Sequence, residues 1–106
     1  MVRRPPRHAG AVRDERLLAE LAGTRLAPLA GIRAAQREQL AETLSAWLAL
    51  DRSAPEVASR LHIHPQTVRY RLRRLQQLFG EQLADSESRF ELEIALRARA
   101  LLDPPL

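Results

Sequence analysis

A chain of 106 residues holds enough material for one modest core and is too short for two independent ones. With 45% hydrophobic and 28% charged residues it has the composition of a folded domain, and the absence of cysteine excludes both a disulfide framework and a thiolate zinc site. The formal charge is +4 and every basic side chain is arginine, which keeps its proton at any ordinary pH and suits a polyanionic partner.

Met1 to Gly10 contains Pro5, Pro6 and Gly10 without an apolar period, so residues 1–11 are expected to form a flexible basic arm. From Val12 to Ala22, Leu17, Leu18, Leu21 and Ala22 recur at helical spacing, and Gly23 offers a natural end. Pro28 and Gly31 then break a connector, so that residues 12–33 read as an N-terminal helix and linker. Ala34 to Leu50 is rich in Ala, Glu, Gln and Leu; Leu40, Leu44 and Trp47 share one narrow arc, which predicts a helix with Trp47 in the core.

Ser53-Ala54-Pro55-Glu56 fits a capping box and starts a short helix that can run to about Leu61. Pro65 disfavours helix at the residue before it and suits a first helical turn, so a further helix is expected from Pro65 to Phe79, stopped by Gly80. Asp85 or Ser86 can cap a last helix through Leu102, ended by Asp103-Pro104-Pro105. There Phe90, Leu92, Ile94 and Leu96 alternate as a strand would, while Phe90, Ile94, Ala98 and Leu101 fit a helical stripe; the Ala, Glu and Arg content favours helix.

On a helical wheel Val68, Leu72, Leu75, Leu78 and Phe79 fall in one apolar sector, the face that packs inward. The remaining arc carries Gln66, Arg69, Tyr70, Arg73, Arg74 and Gln77 and no carboxylate, and residues 57–80 as a whole hold five arginines and no acid. A helix that needs only solubility mixes charge signs, because like charges such as Arg69 and Arg73 repel at i, i+4. Arginine bonds guanine or phosphate bidentately, glutamine pairs with adenine, and tyrosine or threonine reaches phosphate, so this arc has the chemistry of a DNA reader. The free amides of the helix N-terminus, beside His64, add a place for phosphate. Ala58, Ile63 and Val68 stand at the spacing of a helix-turn-helix: small residue, turn hydrophobe and recognition-helix hydrophobe.

The run Leu61-His62-Ile63-His64-Pro65-Gln66-Thr67-Val68-Arg69-Tyr70-Arg71-Leu72, followed by Gly80, resembles the C-terminal helix-turn-helix domain of the PucR/CdaR family of bacterial transcription regulators. The resemblance continues through Glu42-Thr43-Leu44, Trp47-Leu48, Arg89-Phe90 and Ala95-Leu96, over about residues 26–101. It implies a regulator of catabolic genes, such as those for purines or sugar diacids. Pro65-Gln66 replaces an Arg-Asn pair associated with many members, which bears on the bases read. Members usually carry sensory domains ahead of this one; with only an arm and one helix in front, a small-molecule effector is not supported by this chain.

The sequence therefore predicts an all-α domain of about five helices, in the winged-helix-like or homeodomain-like class, with the DNA-binding unit at residues 34–103 and its motif at about 53–79. The expected DNA-binding residues are His64, Gln66, Thr67, Arg69, Tyr70, Arg73 and Arg74. Arg71 lies at the edge of the apolar sector, where a pairing with an acid of a neighbouring helix competes with a DNA contact. The partner is double-stranded DNA, with a homodimer expected from half-site symmetry. His62 and His64 without a third ligand are a poor match to zinc patterns, and no cofactor is called for. Neither a nucleophile elbow nor any lysine is present, which argues against an enzyme. No apolar stretch approaches the roughly 20 residues of a membrane span, and a cytoplasmic location is expected. The rival reading is a helical module whose basic face binds a protein without sequence-specific DNA binding.

Overall fold

The computed structural model describes residues 7–102, with side chains from Glu15 onward. Five α-helices follow one another: α1 (Arg7–Arg25), α2 (Ala34–Ala49), α3 (Ala54–Leu61), α4 (Pro65–Phe79) and α5 (Ser86–Leu102). Short 3₁₀ turns, Ala27–Leu29 and Gly80–Leu83, lie between α1 and α2 and between α4 and α5. Among the described residues there is no strand, so the motif has no β-wing there.

Two helices depart from expectation. α1 begins at Arg7, inside the stretch read as an arm, and runs through Gly23 to Arg25; Met1 to Pro6 lie outside the described residues. Past Pro6 nothing forbids helix, a glycine inside one costs only about 1 kcal/mol, and packing on α5 offsets it. The Arg25–Glu91 ion pair, 2.7 Å, ties the last turn of α1 to α5 beyond the position where Gly23 was expected to stop it. α5 is a helix throughout, but its inward face is Leu92, Ala95, Leu96 and Ala98, whereas Phe90 and Leu101 of the expected stripe are exposed. The helical period groups residues on a face without saying which face meets the core.

The caps explain the boundaries. Ser53 Oγ accepts from the Glu56 amide at 3.3 Å, the forward half of the capping box. The reverse half is not made, because the Ser53 amide donates to the Leu50 carbonyl at 3.2 Å. Asp85 Oδ2 accepts from the Ser88 amide at 2.8 Å and starts α5, and these hydrogen bonds hold the Asp85 carboxyl below its ordinary pKa. Gly80 ends α4 at φ 61°, ψ −132°, a conformation open in practice to glycine alone.

The core is divided. The larger part joins Leu26, Leu29, Leu40, Leu44, Leu75, Phe79, Leu83, Leu92 and Leu96, contributed by α2, α4, α5 and both 3₁₀ regions. The smaller part is Ala46, Val57, Ala58 and Val68, where α2, α3 and the start of α4 cross closely on small side chains. Trp47 and Leu72 pack against both parts. Trp47 is consequently half-buried rather than enclosed, as a residue shared by two clusters must be. α4 is thus held at its C-terminal half by the large cluster and at its N-terminal half by the small one.

Candidate nucleic-acid interface

α3, its turn and α4 form the helix-turn-helix. The turn is made by His62, which takes a left-handed conformation (φ 58°, ψ 45°), with the Ile63 amide returning to the Ala58 carbonyl at 3.1 Å. A left-handed non-glycine residue costs roughly 1–2 kcal/mol, which a turn this closely packed must offset. Asp51 (φ 55°) and Arg52 (φ 63°) make the α2–α3 corner in the same way. No glycine marks either corner, and nothing in the sequence pointed to them.

α4 turns its apolar sector inward as the wheel requires. Val68, Leu75 and Phe79 are buried, and Leu72 and Leu78 are half-buried at the rim. His64 caps the helix: its Nδ1 accepts from the Gln66 amide at 3.0 Å. That bond requires the neutral ring with its proton on Nε2, so His64 offers one outward donor as well as a cap. One turn on, Arg69 Nη1 donates to Gln66 Oε1 at 3.2 Å, joining a candidate guanine reader to a candidate adenine reader on one exposed stripe. Tyr70 is 57% exposed and Arg73 is exposed, on the arc opposite the core.

Three residues sit differently. Arg74, expected outward, is half-buried, because its place on the wheel is at the edge of the apolar sector. Thr67 is half-buried in the first turn. Arg71 leans inward: its Nη1 donates to the hydroxyl of Thr43 on α2 at 3.2 Å. The neighbour is therefore a buried threonine rather than an acid, and the contact both satisfies that hydroxyl and ties α4 to α2.

Among the described residues the ion pairs are Arg25–Glu91, Arg97–Glu93 and Arg99–Glu38, and none includes an arginine of α4. Its outer arc keeps an uncompensated positive field, the electrostatic footprint of a surface for polyanions. A shallow groove flanks this arc, lined by Trp47, Leu72 and Leu83 below and by Arg69, Arg73 and Gln76 above. It arises from contacts of α2 and the second 3₁₀ turn with α4, which no single-helix period reveals.

A model of the PucR C-terminal helix-turn-helix domain matches residues 40–98. The chain belongs to this family. The matched span contains the whole of α3 and α4, Thr43 and Trp47 of α2, and α5 as far as Ala98. The domain is thus of the kind carried by PucR-type transcription regulators, a DNA-binding class and not an enzyme family. The chain is 38% identical over 65 residues to the purine catabolism regulatory protein of Bacillus subtilis (strain 168), covering 61% of this chain and 12% of that one. It is 42% identical over 59 residues to the transcriptional activator PmfR of Paenarthrobacter nicotinovorans, covering 56% and 13%. An uncharacterized protein in the pkwA 5′ region of Thermomonospora curvata shares 41% over 75 residues, 71% of this chain and 41% of that protein. The chain thus spans from about one eighth to two fifths of the length of these relatives. No solved structure matches significantly.

Proposed function

We propose that this chain binds double-stranded DNA sequence-specifically as the DNA-reading part of a bacterial transcription regulator, with α4 in the major groove. The observation that carries this reading is the outer arc of α4, where Arg69, Tyr70 and Arg73 stand exposed and no acid of the described chain pairs with its arginines. His64 Nε2–H meets phosphate, with Thr67 beside it, while the first-turn amides expected to be free are taken by His64 itself; Gln66 and Arg69 read base edges; Arg73 and Tyr70 extend the contact along the groove, and Arg74 reaches the backbone from the rim.

The reading unit is residues 34–103, with its motif at about 53–79, and it works in the cytoplasm without a cofactor and without catalysis. No described helix is long and apolar enough to cross a membrane. Control of a catabolic gene set is consistent with the name of the Bacillus relative, and two copies on paired half-sites are the expected bound form.

Selection of bound duplexes from a random pool, followed by titration, tests the proposal. A preferred site is expected, and Arg69→Ala or Arg73→Ala should weaken binding to it by roughly 1–3 kcal/mol while leaving the fold intact. Indifference among duplexes would overturn the proposal and favour a basic protein-docking face instead.

A further inference from the structure

α5 carries a buried apolar stripe and, on another face, a second line of side chains that the described residues leave largely uncovered at both ends. The inner stripe, Leu92, Ala95, Leu96 and Ala98, is buried. The outer stripe is Phe90, Ile94, Arg97 and Leu101, spaced alternately by four and three residues, the spacing that keeps side chains in line along a helix that packs against another helix. Phe90 is 61% exposed and Leu101 75%, large apolar side chains in water at both ends of one line.

We propose that a second copy of this chain occupies the stripe, with the two α5 helices antiparallel. The argument is self-complementarity, the requirement for any two-fold interface. A two-fold axis between Ile94 and Arg97 sets Phe90 of each copy against Leu101 of the other. It also brings each Arg97 beside Ile94 and Glu93 of the other copy. Within one copy Arg97 and Glu93 already attract, at 3.1 Å, yet the Arg97 side chain is 74% exposed and free to serve a second carboxylate. Apolar ends and a charged middle of both signs therefore match their own rotated image. A shallow, mostly polar cleft beside Phe90, walled by Leu48, Asp51, Arg52, Ser86, Arg89 and Glu93, receives the polar end of the incoming helix. Arg89 is fixed there by its bond to the Leu83 carbonyl at 3.0 Å.

This deepens the DNA reading at one point, the pairing of copies, and its test is made without DNA so that the two can fail separately. Sedimentation equilibrium of the 106-residue chain over a concentration series is expected to show monomers in equilibrium with pairs. Leu101→Glu should weaken self-association about tenfold or more, as expected of an anchor at such an interface. Glu93→Arg and Arg97→Glu should each weaken it, and a mixture of these two variants should pair again because opposite charges then face each other. Unchanged melting of the monomers would show that the fold is intact, since Arg97 and Leu101 are exposed and Glu93 is only half-buried. A chain that stays monomeric throughout, a pair that none of the substitutions loosens, or a mixture that does not pair overturns the assignment.

Discussion

Arg71 offers the sharpest test of how α4 is held. Its guanidinium donates to Thr43 Oγ1 at 3.2 Å across 28 positions of sequence, and Thr43 is fully buried. A hydrogen bond from a charged group contributes about 1.5–3 kcal/mol, and the partial exposure of Arg71 argues for the lower part of that range. Arg71→Met keeps the packed stem and removes the donor, leaving a buried hydroxyl that can still donate to a carbonyl of its own helix. A cost of roughly 1–2 kcal/mol follows, a fall in melting temperature of roughly 4–16 °C for a domain of this size. Thr43→Val removes the other partner and should cost about as much. Circular dichroism melts of both single variants and the double variant form a cycle, in which the double should cost little more than either single. DNA affinity of the folded Arg71→Met protein should stay near that of the parent. Additive costs, or a loss of DNA affinity with unchanged stability, would refute this role and make Arg71 a reader instead.

Other outcomes follow from the same contacts. Leu75→Ala should cost roughly 2–5 kcal/mol in denaturant unfolding, because Leu75 is fully buried, while Leu101→Ala should change monomer stability by less than about 0.5 kcal/mol. His62→Val should destabilise by about 1–2 kcal/mol and His62→Gly should be tolerated, since the turn demands a left-handed backbone that β-branched residues resist; thermal melts decide. Asp85 has a lowered pKa because Ser88 hydrogen-bonds its carboxylate. The sign follows: the capped form is favoured above the ordinary carboxylate pKa, and the stabilisation is lost as pH falls through the lower, folded value. Asp85→Asn should therefore flatten the acid limb of a stability–pH curve, and an unchanged limb would contradict the cap.

Much of the geometry of α4 is legible in the sequence, for reasons tied to particular residues. Pro65 and Gly80 impose backbone geometry wherever they stand, so the limits of α4 followed from the sequence. The acid-free arc from Gln66 to Gln77 needed only the helical period. What escaped depends on neighbours distant in sequence. Arg71 finds Thr43 because α2 crosses there; Trp47 is shared between two clusters; and Phe90 and Leu101 face away because Leu92 and Leu96 already fill the core. The left-handed corners at Asp51, Arg52 and His62 left no trace in composition because no glycine stands there.

The division of the core gives the two ends of α4 different freedom. Its far end rests on Leu75 and Phe79 among many large buried side chains, whereas its first turns rest on Val68 against Val57 and two alanines, with Leu61, Ile63 and Trp47 only partly buried around them. Less apolar surface opposes a small displacement of the first turns, so their amides should exchange with solvent sooner than those around Leu75. Under the proposed function, the first turns would adjust their tilt to the groove while the far end acts as a fixed mount, which would give the domain some tolerance to variation in DNA shape.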